Sequence, residues 1–255
     1  MAQTFRVQVM QPARTQGERV RFPVVYATDA NLAFDMLKGI SHLIQTNERD
    51  APRFILVGIG YPRIRLQARD VEGVLVAREG MTDYYGAEDF QQFIRHEVIP
   101  LIDAKYETEP GERTYFGHSA GGGFGLFTLF TQPDLFRNYI LSSPGLIYHG
   151  ESSAGIAYDN HEFALEYARK FIRSGRMLER VSAYLSVGTE EEFEPGLEQW
   201  RLTSSFFRMA HLIRGASIPG LRFFTEVFAG ETHMTVWPMA FIHGIRTIFR
   251  ERCGV

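Results

Sequence analysis

Short, nearly continuous apolar runs alternate along the chain with longer segments whose apolar residues recur every three to four positions. The runs FPVVYA, FILVGIG and SAYLSVG carry almost no polar break. Strands covered on both faces read this way, because neither side has to meet water. The pattern predicts strands over Phe5–Met10, Phe22–Ala27, Arg53–Ile59, Thr114–Phe116, Tyr139–Ser142, Val181–Val187 and Phe223–Phe228. Helical periodicity predicts Ala30–Gln45, Ala87–Lys105, Ala120–Thr131, Glu162–Arg173, Ser204–Arg214 and Pro238–Arg250. In the second of these, Phe90, Phe93, Ile94, Val98 and Leu101 share one face. Strands alternating with helices over 255 residues predict a mostly parallel sheet with helices on both faces. No repeat, low-complexity tract or polar linker interrupts the pattern, so residues 1–255 read as one α/β domain. Residues 146–179 exceed what a crossover helix needs; they predict either a decorated crossover or a lid that shapes a pocket.

Composition removes several function classes. The chain has 27 basic and 30 acidic residues, a formal net charge of −3. That balance supplies no field for nucleic acid or for an anionic membrane. With 21 Phe and 11 Tyr, the chain carries far more apolar surface than a disordered one. Cys253 is the only cysteine, which excludes an internal disulfide and fits a reducing, cytoplasmic setting. The N-terminal segment has charges at Arg6, Arg14, Glu18 and Arg19 and lacks the apolar run of a secretory leader. The longest uncharged stretch, Thr114–Pro133, contains five glycines and reads as strand, turn and helix rather than a membrane span.

Candidate chemistry concentrates at Gly117-His118-Ser119-Ala120-Gly121, a G-x-S-x-G sequence set between a β-prone run and a helical one. A strand-to-helix turn this sharp needs small flanking residues, and it lifts a serine hydroxyl above the sheet at a helix N-terminus. A nucleophilic serine needs a base further along the chain. His211 and His243 lie in helical patterns, whereas His233 follows the last strand across the turn Ala229–Thr232, so His233 is the candidate base. The acid is expected after the preceding strand, in Gly188-Thr189-Glu190-Glu191-Glu192-Phe193-Glu194, with Glu191 first and Glu190 second. Oxyanion donors are expected at the Ala120 amide and at the Tyr61 or Gly60 amide. The Gly58-Ile59-Gly60 turn is not a dinucleotide fingerprint, since Pro62 and Arg63 follow and the third glycine is missing. With no phosphate loop, cysteine pair or H-E-x-x-H spacing, the expected chemistry uses no cofactor and no metal. Arg53, Arg63, Arg65 and Arg69 form either a solvated basic face or a contact for an anionic ligand.

Five segments taken in order resemble the putative-esterase family of α/β-hydrolases. That family includes enterobactin-esterase-like proteins, tributyrin esterases, S-formylglutathione hydrolases and mycolyltransferases. Phe22–Asn31 is similar to the family's P-V-x-Y-x-x-D-G-x strand and turn, with Ala30 in place of the glycine. Val57–Pro62 resembles the oxyanion-loop strand, Gly117–Gly121 the nucleophile turn and Val187–Glu191 the acid turn. Gly230–Pro238 resembles the histidine segment of the enterobactin-esterase-like branch. Arg69-Asp70-Val71 matches the family's R-x-x-D-[YL]-T segment only in part. The resemblance implies an α/β-hydrolase fold, a Ser119-Glu191-His233 triad and oxyanion amides at Tyr61 and Ala120. It also implies hydrolysis of a small-molecule carboxylic ester, with trilactone siderophores among the candidates. Two other readings stand beside it. One is acyl transfer through the same acyl-enzyme; the other is a binding protein that keeps the fold without the chemistry.

Overall fold

The computed structural model describes residues 4–14, 16–46, 51–61, 87–146, 148–151, 157–161 and 163–250. Seven strands form the central sheet: β1 (Arg6–Met10), β2 (Phe22–Ala27), β3 (Ile55–Gly60), β4 (Thr108–His118), β5 (Asn138–Ser142), β8 (Val181–Gly188) and β9 (Leu221–Phe228). The two between, β6 (Tyr148–Glu151) and β7 (Ala157–His161), pair antiparallel as a separate hairpin. The sheet order is β1-β3-β2-β4-β5-β8-β9. β1 runs antiparallel to β3 at one edge, and the other pairings are parallel. The helices are α1 (Ala30–Gln45), α2 (Ala87–Phe93), α3 (Ile99–Lys105), α4 (Ala120–Thr131), α5 (Phe163–Arg173), α6 (Leu202–Ala216) and α7 (Val236–Phe249).

The alternation of side chains along each strand divides the core into two layers. Val25, Leu56, Phe116, Ile140 and Tyr184 face α1 and α7, where they meet Phe34, Leu37, Phe241 and Ile245. Val24, Val57, Tyr115, Tyr139 and Leu141 face the other helices and meet Phe90, Phe124, Phe127 and Phe206. Both faces of the inner strands are covered, which is why their sequences show no period of two. α4 lies deepest: every residue from Gly121 to Phe130 is buried, so it has no polar stripe.

The structure departs from the sequence pattern in three places. The expected helix Ala87–Lys105 is interrupted by a π turn over Ile94–Val98. Pro100 explains it, because its ring crowds the carbonyl four residues back and it has no N–H to donate. The wider turn also shifts the buried face, so Ile99 and Ile102 are buried while Leu101 is 41% exposed. β4 begins at Thr108, six residues before the expected start, across a register shift in its pairing with β2. Its Glu-Pro-Gly-Glu stretch looks like a turn in sequence but is an irregular strand. Between residues 146 and 179 the chain forms the β6–β7 hairpin and then α5, whose Ala164, Leu165, Ala168 and Phe171 are buried in the core.

Candidate active site

The C-terminal ends of β4, β5 and β8, with the loop after β9, bring the expected site residues to one end of the sheet. Ser119 joins β4 to α4 at φ 55° and ψ −119°, a left-handed backbone that L residues rarely adopt. Its amide donates to the Ser142 carbonyl at 2.9 Å, and its own carbonyl accepts from Gly123 and Gly145. Its hydroxyl does not cap the helix that it begins, and the residue is half-buried. The turn is possible because its flanks lack side chains. A Cβ on Gly117 would lie 2.3 Å from the Gly121 carbonyl oxygen, and one on Gly121 would lie 2.4 Å from Thr28 Oγ1.

His233 is buried, and its Nδ1 lies 2.6 Å from Glu191 Oε2. Opposite a carboxylate, Nδ1 carries the proton, which leaves Nε2 as the acceptor. Glu191 is fully buried in a turn of 3-10 helix over Thr189–Phe193. Its other oxygen accepts from the Gly188 amide and from the Ser143 hydroxyl at 2.7 Å. A carboxylate removed from water needs such donors. Glu190 is exposed and turns to Thr189, so the structure separates the two candidate acids: Glu191 meets the imidazole and Glu190 does not.

The acid and histidine loops are stitched together by three hydrogen bonds from backbone amides. The Glu190 amide donates to the Glu231 carbonyl at 3.1 Å, the Gly230 amide to Thr189 Oγ1 at 2.9 Å, and the His233 amide to Glu194 Oε2 at 2.7 Å. On the nucleophile side, the His118 ring lies 4.4 Å from the His233 ring. The base is thereby packed against the residue next to Ser119. A second histidine–carboxylate pair, His243 with Glu226 at 2.9 Å, lies partway along α7, where the His243 ring packs edge-on against Phe228.

Ala120 follows Ser119 at the first position of α4, where a helical N–H has no acceptor within its own helix. Tyr61 is placed differently. β3 is separated from β4 by β2, and the Tyr61 amide donates to Asn31 Oδ1 at 3.4 Å. β2 adjoins β4 directly, and Thr28 and Asp29, which join it to α1, pack on Gly121. Asp29 there is 7% exposed at φ 57°, and burial pushes its carboxyl up to about 7, an effect that a hydrogen bond from Thr28 partly offsets.

Sequence reasoning passes over Ser143, Glu194, Asp29 and His118. Ser143 acts on a loop distant in the chain, so no local signal marks it; Glu194, Asp29 and His118 sit inside motifs singled out for other residues. Trp237 is buried and stacked on His118. Arg53 is held by Glu18 in a two-pronged ion pair, while Arg63, Arg65, Arg69 and Cys253 lie outside the described residues. Among the described residues, no helix is long and apolar enough to cross a membrane.

Comparison with known proteins identifies the family. The family model described as "Putative esterase" matches residues 1–248. The ferri-bacillibactin esterase BesA of Bacillus subtilis is 26% identical over 95% of this chain and 84% of its own. A siderophore triacetylfusarinine C esterase of Aspergillus fumigatus is 25% identical over 92% of this chain and 84% of its own. Among solved structures, the siderophore hydrolase EstB of Aspergillus nidulans superposes with a TM-score of 0.80 at 23% identity, covering 97% of this chain and 91% of that one. The chain belongs to the putative esterase family of carboxylic ester hydrolases, on an α/β-hydrolase fold.

Proposed function

We propose that Ser119, His233 and Glu191 act as a nucleophile, base and acid that cleave esters through an acyl-enzyme. The observation that carries this reading is the 2.6 Å bond between His233 and a fully buried Glu191, beside a serine held at positive φ. His233 Nε2 takes the hydroxyl proton as Ser119 attacks the carbonyl carbon. Glu191 holds the imidazole tautomer and stabilises the imidazolium. His233 then protonates the leaving alcohol, and water hydrolyses the acyl-enzyme by the reverse path. For the oxyanion we assign the Ala120 amide and an amide at the start of α1, Ala30 or Asn31, in place of Tyr61. Thr28 and Asp29, which lead into α1, lie against the start of α4, and the Tyr61 amide already has an acceptor.

Two curated relatives support the substrate class, one named a ferri-bacillibactin esterase and the other a siderophore triacetylfusarinine C esterase, each matched over more than nine-tenths of this chain. An ester-linked siderophore backbone, opened by water, is the reading they support. The test compares a siderophore triester with simple aryl esters, reading product masses with and without alcohol acceptors. Ser119→Ala and His233→Ala should each lower kcat by about 10⁴ or more, and the double variant should be little worse than either. Additive losses would contradict a triad that works as one unit.

A further inference from the structure

Behind the Glu191–His233 pair stands a column of three rings. His118 lies in the middle, 4.4 Å from His233 on one side and 4.4 Å from Trp237 on the other, where the planes are within 18°. It is buried, and its Nδ1 meets Ser142 Oγ at 2.9 Å. Its Nε2 is buried with no hydrogen-bond partner among the described residues. A plain apolar ring would fill this slot without leaving a polar atom unsatisfied. Ser142 also accepts the Ser119 amide through its carbonyl, so one residue anchors both the nucleophile and His118.

We propose that His118 is a positioning residue that acts through His233: it holds the triad imidazole in place and presents a neutral ring face to the charge that develops there. This rests on the serine-hydrolase reading given above. When His233 takes the Ser119 proton, the positive charge forms on a ring already seated against the π face of His118. The 4.4 Å separation is within the reach of a cation–π contact. The contact works only if His118 itself stays uncharged, since two cationic rings at this distance would repel. Burial, together with the charge of His233, holds His118 well below the ordinary histidine range, so it does not compete for the proton. Trp237 backs the column and closes its far side, and the Ser142 bond stops His118 from rotating.

The test separates the ring face from the hydrogen bond. His118→Phe keeps a ring without the bond to Ser142, and His118→Gln keeps a polar group without the ring. The expected result is a kcat within about threefold of wild type for the Phe variant and about tenfold lower for Gln, with KM within about twofold in both. The proton in the His233–Glu191 bond supplies a second readout. Its far-downfield NMR resonance should persist in the Phe variant and be displaced or lost in the Gln variant. His118→Leu carries the same comparison if the Gln variant does not fold. A Gln variant as fast as wild type overturns the inference, and so does a Phe variant as slow as Gln. An inactive wild type overturns the serine-hydrolase reading on which it rests, and the two failures are thus told apart.

Discussion

Replacing the proposed nucleophile by glycine should make the protein more stable while abolishing its activity. Ser119 sits at φ 55°, ψ −119°, a region that a Cβ disfavours. A non-glycine residue held in such a region costs about 1–3 kcal/mol, which the surrounding bonds to Ser142, Gly123 and Gly145 must offset. Ser119→Gly removes that cost but adds about 0.5–1 kcal/mol of unfolded-chain entropy. The expected net gain is about 1–2 kcal/mol. For a chain of 255 residues that is a rise in Tm of roughly 2–4 °C. Ser119→Ala is the control, because it removes the hydroxyl and keeps the Cβ. The serine hydroxyl caps nothing in its helix, so the alanine variant should stay close to wild type in stability. The assay is urea unfolding of the three proteins at one pH, with Tm as a cross-check and ester hydrolysis measured alongside. A glycine variant no more stable than the alanine variant would refute the claim that the site stores strain at this residue.

Three further outcomes are expected from the same structure. Asp29 holds its proton up to about 7 in the folded state, against an ordinary value of 3.8, so the folded state binds more protons than the unfolded one between those limits. Wild-type stability should therefore fall by about 3 kcal/mol as pH rises from about 4 to 7, while Asp29→Asn stays flat; urea unfolding at both ends of the window checks this, and a pH-independent gap would contradict it. Ser143→Ala removes one donor from Glu191 and should lower kcat about tenfold with little change in KM, measured by steady-state kinetics; an unchanged kcat would sever Ser143 from the site. Gly121→Ala places a Cβ 2.4 Å from Thr28 Oγ1 and should cost about 1–3 kcal/mol in urea unfolding; an unaffected variant would show that the turn after β2 is not packed as described.

Much of this arrangement is legible in the residues alone. α1 and α4 begin and end where their periodicity places them, because each is bounded by a strand end and a break in pattern. His233 is legible because it follows a strand end, while His211 and His243 fall within helices. The π turn is not legible, since a proline within a helical pattern can be met by a kink, a break or a widened turn. Choosing Glu191 over Glu190 requires knowing which side of a 3-10 turn faces the sheet, and that is decided by the histidine loop 42 residues away. The second oxyanion donor that we propose rests on which strand lies beside β4. The glycine-rich turn after an earlier central strand points in sequence to the end of β3, whereas the neighbour of β4 in the sheet is β2. His118 stands in the variable position of its motif, and only the stacking of Trp237 from α7 gives that position a meaning.

The central claim is that Ser119 is an activated nucleophile. Treatment with a fluorophosphonate, followed by intact mass and peptide mapping, tests it most directly. The account predicts a single stoichiometric adduct on Ser119 that is absent from Ser119→Ala and strongly slowed in His233→Ala. A folded wild-type protein that takes no adduct, or takes it at another residue, would contradict it.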